Sequence, residues 1–342
     1  GFPCAVSDGG GGLAVYASRF IEAGETILVE RPLVLTVSHA ARTQFCAHCL
    51  ANSLPGKAGW DIQCHGCGTQ FYCSDECLKA AGPRHTGVEC EALAAANAAR
   101  LDEDEIDTVF QFIRILSDRL HVWSCDVGPA GVCGAGNSHA ERLVGVTPST
   151  DAARSNLLRI CSATLSCLAP PARIPPAELL DILERHSCNL YGVTGAAGED
   201  VASASFVGFF HLFNHSCYPN VVFDSACKVA PATADGSAPC FSLRALFDIQ
   251  SGDELNISYT SSADGPTQRS EHLVEHYGFE CACARCACGD VGQELDFADA
   301  LEAKRCTREE CGSGFGVPGH AFRADALRCV HCGLEFECET AY

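Results

Sequence analysis

Phe206 to Phe223 reads FVGFFHLFNHSCYPNVVF, with a polar block, Asn214-His215-Ser216-Cys217, set in an otherwise aromatic and apolar run. Polar side chains inside such a run need partners, because an unpaired buried donor or acceptor costs about 1–3 kcal/mol. Phe209 to Phe213 reads as buried, Tyr218-Pro219-Asn220 as a turn, and Val221-Val222-Phe223 as a strand. An Asn-His pair at that join can offer an amide and two backbone groups to a polar ligand. Taken alone, the pair reads more simply as two satisfied core groups.

Two later segments change that reading. Leu255 to Tyr259 ends a strand on Ile257-Ser258-Tyr259, and Tyr277-Gly278-Phe279-Glu280 runs into Cys281, Cys283 and Cys286. Asn-His-Ser-Cys, then Ile-Ser-Tyr, then Tyr-x-Phe-x-Cys-x-Cys-x-x-Cys resembles the SET-domain protein lysine methyltransferases of the SET-and-MYND (SMYD) branch. Each piece alone is weak; the ordered set of three is specific.

Size and charge bound the rest. A chain of 342 residues suggests two or three units. With 23 basic and 43 acidic residues the net charge is −20, which disfavours a nucleic-acid partner and favours a lysine-rich protein or peptide. A solubilising acidic surface fits the charge equally well. The 25 cysteines are odd in number and fall in C-x-x-C and C-x-x-x-C spacings, which points to zinc and a reducing compartment rather than a disulfide framework. No apolar run is long enough to span a membrane and no signal peptide is recognisable. Nucleus or cytoplasm is therefore the expected location. With Gly1 at its start and no Met, the chain reads as lacking its true N-terminus, which leaves organelle targeting open.

In chain order, Gly9 to Gly12 precede the strand-like Leu13 to Ala17. Gly9, Gly11 and Ala14 fit G-x-G-x-x-A, but a strand follows where a dinucleotide fingerprint needs a helix, and none is read before them. Apolar strands follow around Thr26 to Val29 and Leu33 to Val37. Residues 46–90 hold Cys46-x2-Cys49, Cys64-x2-Cys67, Cys73-x3-Cys77 and His85-x4-Cys90, ligands for two tetrahedral zincs. Spacing permits sequential or interleaved pairing; His48 and His65 read as bystanders. Ser74 can cap a short helix that carries Cys77 on its first turn.

Ile106, Val109, Phe110, Ile113, Leu116 and Leu120 place one buried face on a helix. Cys125 to about Ser149 reads as loop, and Asn156 to Leu168 and Ala177 to His186 as helices around a proline-rich connection. The segments Ile21 to Glu25 and Ile249 to Asp253 both read as tight hairpin turns. Beyond Cys288, helix-like residues near Phe297 to Ala303 precede Cys306-x4-Cys311 and Cys329-x2-Cys332, the form of a zinc ribbon, with Cys288 and Cys338 as competing ligands.

The resemblance, which covers about residues 5–288, implies an α+β chain with a SET-domain fold of short β-sheets and a pseudoknot. In that knot the strand bearing Ile-Ser-Tyr is drawn beside Asn-His-Ser-Cys. The implied units are an N-terminal SET part (1–45), an inserted MYND zinc finger (46–90), a helical insert (91–187), the core SET part (188–260) and a post-SET segment (261–288); the ribbon-like tail (289–342), read from its cysteine spacing alone, lies beyond the resemblance. The resemblance implies interleaved zinc pairing, Cys46, Cys49, Cys73 and Cys77 on one ion and Cys64, Cys67, His85 and Cys90 on the other. A third zinc falls to Cys217, Cys281, Cys283 and Cys286; the tail's Cys306, Cys311, Cys329 and Cys332 would make a fourth.

The implied reaction moves a methyl group from S-adenosylmethionine to a lysine amine of a histone or other basic protein. Carried over residue by residue, Asn214 and His215 hold the cofactor with the backbone of Gly9, Gly10 and Gly11 and with Tyr277 and Phe279 near the adenine. Asn189 is a further candidate for that task. Tyr259 is the implied catalytic residue, orienting the amine, and Tyr191 and Tyr277 wall the lysine channel. The amine must be neutral although an unperturbed lysine has a pKa near ~10.4, so desolvation and alignment, not a strong base, should carry the rate. The alternative is a silent adaptor in transcriptional regulation whose finger binds a proline-containing peptide; Tyr259, Asn214 and His215 favour the enzyme, because a scaffold needs none of them. Two departures stand out. Leu13-Ala14 occupies the place of a basic residue, and the long helical C-terminal domain of many relatives is absent, replaced by the tail or lost by truncation.

Overall fold

Short apolar runs broken by turns give short strands, and the chain builds six small sheets among the described residues. The computed structural model describes residues 3–8, 13–53, 58–85, 87–99, 101–121, 143, 145–147, 150–195, 199–229, 239–261, 264–288, 291–311, 314–318 and 326–337. Strand β1 (Cys4–Asp8) pairs antiparallel with β2 (Leu13–Ala17), Cys4 opposite Ala17. A strand therefore does precede the glycines, contrary to expectation. Ala5, Val6 and Ser7 are exposed, so β1 lacks the alternation that marks a half-buried strand. The exclusion of a dinucleotide fingerprint holds, because β2 follows. Residues Gly9, Gly10 and Gly11 lie outside the described residues.

Strands β3 (Thr26–Glu30) and β4 (Val34–Val37) come next, then β5 (Ile62–Gln63) and β6 (Phe71–Tyr72), paired between the cysteines of the first zinc-like region. Helix α1 (Asp75–His85) starts after Ser74, whose Oγ accepts the Cys77 N–H at 3.3 Å. Helices α2 (Val88–Ala98), α3 (Glu103–His121), α4 (Asp151–Cys167) and α5 (Pro176–Ser187) form a second core. On α3 the expected face is buried, but so are Phe112, Ile115 and Gln111. This helix is wedged between β4 on one side and α2 and α4 on the other. Leu120 lies among the side chains outside the description. Helix α4 begins five residues earlier than Asn156 because Thr150 caps it, accepting the Ala153 N–H at 3.1 Å.

Strands β7 (Leu190–Thr194) and β8 (Asp200–Ser205) extend β4 into a three-stranded sheet in the order β4-β8-β7. The opening stretch then supplies Phe206, Phe210 and Phe213, all essentially inaccessible, to the main core. It continues into β9 (Asn214–His215) and β10 (Val221–Val229); β11 (Cys240–Ala245) lies between β10 and β3. Strand β12 (Asn256–Ile257) runs parallel beside β9, with Asn256 opposite Asn214 and Ile257 opposite His215. This is the pseudoknot, made from a shorter strand than the expected Leu255 to Tyr259.

The two similar turns do not each close a local hairpin. Ile21 and Ile249 exchange backbone hydrogen bonds at 3.0 and 2.9 Å, so the turns are each other's partners. Helix α6 (Pro266–Tyr277), unexpected from sequence, starts with Pro266 and ends on Gly278 at φ 70°, a left-handed cap that a side chain would strain. The tail adds α7 (Ala284–Ala287), α8 (Val291–Glu302) and the strands β13 (Gly316–Pro318), β14 (Ala326–Cys329) and β15 (Glu335–Glu337), paired as one antiparallel sheet. None of the described helices is long and apolar enough to cross a membrane.

Candidate active site and metal centres

A cavity of about 310 Å³ opens beside the knot, walled by Asn189, Tyr191, Phe210, Tyr259 and Tyr277 among others. The Tyr191 ring sits 5.3 Å from Phe206 and 5.0 Å from Phe223, and Tyr259 lies 4.8 Å from Tyr277. Tyr191 donates its hydroxyl proton to the Phe210 carbonyl at 2.9 Å, and Tyr259 donates to the Phe213 carbonyl at 2.8 Å. With each proton committed to a backbone oxygen, the phenol oxygen keeps lone pairs with which to accept from a ligand N–H. Burial pushes the Tyr277 hydroxyl up to about 12 and those of Tyr191 and Tyr259 well above the ordinary range. All three stay neutral at physiological pH.

Next to this wall, the Asn214 amide donates to Glu254 at 2.9 Å and reaches the Leu13 carbonyl at 3.4 Å, which ties the end of the β1–β2 hairpin to the knot. His215 accepts the Tyr259 backbone N–H on Nδ1 at 2.9 Å, and its Nε2 lies 3.2 Å from Cys217 Sγ. Burial depresses its pKa to about 4, so the ring is neutral and Nε2 carries the proton. Phe279 is 36% exposed, 6.0 Å from the His215 ring and 6.5 Å from Tyr259. Asn189 faces the cavity, but its amide also donates to the Arg185 carbonyl at 2.7 Å, closing the end of α5.

Sixteen Cys and His residues gather into four sets: Cys46, Cys49, Cys73 and Cys77; Cys64, Cys67, His85 and Cys90; Cys217, Cys281, Cys283 and Cys286; Cys306, Cys311, Cys329 and Cys332. Within each set the ligand atoms lie within 4.8 Å of one another. The pairing in residues 46–90 is interleaved, the alternative that spacing left open. Thiolates about 2.3 Å from a tetrahedral zinc lie about 3.8 Å apart, whereas a disulfide needs ~2.05 Å. Observed separations are 3.5 Å for Cys49–Cys73, 3.6 Å for Cys64–Cys90, 3.5 Å for Cys217–Cys286 and 3.7 Å for Cys311–Cys329.

The charges agree with a cation. A hydrogen bond from Cys49 lowers Cys46 to about 5 and one from Cys217 lowers Cys283 to about 3, while burial pushes Cys77 and Cys90 up to about 12 and Cys286 and Cys306 up to about 11. Four crowded thiols, or three beside His85 in the Cys64 set, cannot all ionise without a positive centre, so each donor set fits zinc. His85 presents Nε2 to Cys64 and Cys67 and donates Nδ1–H to the buried Glu89 at 2.8 Å, which fixes its tautomer as a metal ligand's partner does. His48, His65 and Cys288 belong to none of the sets, and Cys338 lies outside the described residues.

Several residues at the site carry no motif signal. Glu30, 1% exposed, accepts the consecutive N–H groups of Gly208, Phe209 and Phe210 at 2.6, 2.8 and 3.0 Å, directly behind the Tyr191 wall. Glu254 holds Asn214. Arg269 and Arg285 surround Cys217, Arg285 donating to its carbonyl at 3.2 Å, and both are paired with Glu294 of α8 at 3.2 and 2.8 Å. From the tail, Phe315 and His331 also face the cavity.

A late strand drawn parallel to an Asn-His segment, with thiols tying the crossing, is the knot expected of a SET domain. The SET domain model matches residues 12–260, and the chain belongs to that family. It is 25% identical over 324 residues to histone-lysine N-methyltransferase ASHR1 of Arabidopsis thaliana, covering 89% of this chain and 58% of that protein. It is 24% identical over 330 residues to a SET and MYND domain-containing protein of Dictyostelium discoideum, covering 85% of this chain and 60% of that protein. Among solved structures it is similar to the SET domain of LSMT bound to lysine and AdoHcy, with TM-score 0.35 and 12% identity over 82% of this chain and 53% of that one. The chain thus spans about three fifths of the length of these curated relatives.

Proposed function

We propose that this chain is an S-adenosylmethionine-dependent protein lysine N-methyltransferase acting on a histone or another basic protein. The observation that carries this reading is the wall of neutral tyrosines, with Tyr259 and Tyr191 hydroxyls aimed by backbone carbonyls and their lone pairs left to receive an amine. When bound, the cofactor supplies a methyl group on a positively charged sulfur. Asn214, His215 and Phe279 are suited to hold it, since they gather at the exposed end of the knot; by the resemblance, the backbone of Gly9, Gly10 and Gly11 would join them.

The chain's own residues then have separate tasks. Tyr191, Phe210 and Tyr277 exclude water from the amine, which favours its neutral form. Tyr259 accepts from the amine N–H and fixes its direction. Neither hydroxyl takes the proton, because burial holds both phenols above the ordinary range; the gain is in alignment. The net charge of −20 favours lysine-rich substrates. Residues 46–90, read as a MYND finger, would add a proline-containing peptide as partner, and a histone substrate would place the protein in the nucleus as a chromatin regulator. Incubating purified protein with labelled cofactor, histones and cell extract tests the reading: label should appear on lysine. Cofactor binding without transfer to any protein would favour the adaptor.

A further inference from the structure

The geometry points to a substrate-selecting role for the C-terminal ribbon: Phe315 and His331 form the outer wall of the lysine channel and favour an apolar residue beside the target lysine. This inference rests on the methyltransferase reading for its substrate and on the ribbon's own contacts for its place.

Those contacts are extensive. Phe315, Val317 and Val330 pack with Leu246 and Leu301 in one buried cluster that also takes in Tyr218 and Val222. Val222 and Phe223 point to opposite faces of β10, yet Phe315 and His331 line the same cavity as Tyr191 and Phe223, so the ribbon meets the aromatic wall at the cavity's outer end. Arg328 of β14 pairs with the fully buried Asp224 of β10, which also meets Arg244 at 3.6 Å. Ser225 donates to the Val330 carbonyl at 3.4 Å. At the far edge, a Cβ on Gly24 would lie 2.7 Å from the Pro318 carbonyl, and Gly24 holds φ 82°; the turn is glycine where the ribbon lands on it.

His331 occupies the knuckle between Cys329 and Cys332, whose shape is set by N–H groups of His331 and Cys332 pointing at Cys329 Sγ at 3.4 and 3.5 Å. The thiol set of the ribbon therefore fixes the loop that presents His331 to the cavity, and Val330 N–H bonds the Phe315 carbonyl at 2.8 Å, locking the two wall residues together. Phe315, Val222 and Pro219 offer this end of the channel carbon surface, which rewards an apolar neighbour of the lysine over a charged one.

The test compares the whole wild-type chain with His331→Ala and Phe315→Leu. Affinities are measured, in the presence of S-adenosylhomocysteine, for two lysine peptides that differ only in a leucine or a glutamate beside the lysine. Turnover of both peptides, cofactor affinity and zinc content are measured alongside. The leucine peptide should bind wild type more tightly, and each variant should shrink the preference about tenfold, the scale of one pocket contact, with cofactor affinity and zinc content unchanged. An undiminished preference in both variants at full zinc content would overturn the inference, as would no preference in wild type. If wild type binds the peptides with the stated preference but methylates neither lysine, the methyltransferase reading fails while the ribbon wall stands.

Discussion

Replacing Glu30 by Gln tests whether the channel is held from behind. The carboxylate receives three consecutive backbone N–H groups at 2.6 to 3.0 Å in a site 1% exposed. A glutamine of the same shape has one acceptor oxygen and turns an NH₂ toward donors. Hydrogen bonds to a charged acceptor are worth about 1.5–3 kcal/mol each. With the amide oxygen under the Phe209 and Phe210 N–H groups those two bonds weaken and the Gly208 N–H meets an NH₂, but removing a buried charge returns part of its desolvation cost, which is why burial already raises the Glu30 pKa. The net expectation is a loss of about 2–4 kcal/mol. The damage should reach the site, because the Phe210 N–H belongs to this clamp and the Phe210 carbonyl carries the Tyr191 hydroxyl. Urea unfolding followed by circular dichroism reads the first effect, and kcat/KM on a lysine peptide, set against cofactor affinity, reads the second. A Glu30→Gln chain within about 0.5 kcal/mol of wild type, with unchanged kcat/KM, would show that the three short contacts contribute nothing beyond what solvent or a neutral amide can supply.

Tyr259→Phe removes the oxygen proposed to receive the amine; methyl transfer should fall about 10- to 100-fold while cofactor affinity is largely retained, as single-turnover rates and calorimetry will show. Elemental analysis should find four zincs per chain, one for each thiol set, and one fewer when the chain ends at Gly289; equal counts would mean that the ribbon binds none. Burial, reinforced by Arg185, holds His186 down at about 4 where it bonds Ser205 at 3.0 Å. Since its unfolded value is near ~6.5, the native chain resists protonation that the unfolded chain accepts, so stability is present above that value and is lost as pH falls. Between about pH 7.5 and pH 5.5 the loss from this group is about 1.3 kcal/mol, a slope that should be missing from His186→Gln in paired urea titrations.

Local chemistry was readable in the chain wherever its spacing is local. The cysteine pairs announce themselves because a short spacing lets two neighbouring thiols reach one metal, and the trio of Asn214, His215 and Tyr259 stands out through the order of its motifs. Glu30 could not be found that way: in Glu30-Arg31-Pro32 it reads as a surface charge, and the N–H groups that explain it begin 178 residues later. Helix α6 had its start and stop in Pro266 and Gly278, but its Thr, Gln, Arg, Glu and His residues hide a buried side made only of Arg269 and Leu273. Strand β1 is exposed at Ala5, Val6 and Ser7 in succession and so shows no alternation. The two wall residues of the ribbon were invisible for another reason, since a phenylalanine and a knuckle histidine in a zinc ribbon read as its own packing until the ribbon is seen against β10.

The ladder that brings β12 beside β9 is only two residue pairs long, too little to hold two distant segments against the entropy of the loop between them. Other bonds secure the crossing. Asn220 works in both directions, its amide donating to the Glu254 carbonyl and its oxygen accepting the Asn256 N–H, each at 2.8 Å. His215 catches the Tyr259 N–H at 2.9 Å. The thiols of Cys217 and Cys281, 64 residues apart in sequence, close the same loop from the other side, where Arg269 and Arg285 share the carboxylate of Glu294. A metal there would link the knot to the segment carrying Tyr277, which stands four residues before Cys281. Tyr191, by contrast, is anchored in the apolar core through Phe206, Phe210 and Phe223. The cavity therefore has one wall fixed by carbon packing and one fixed by thiols and backbone hydrogen bonds, and the spacing between Tyr191 and Tyr259, on which alignment of an amine depends, is set by where those two kinds of order meet at Phe210 to Phe213.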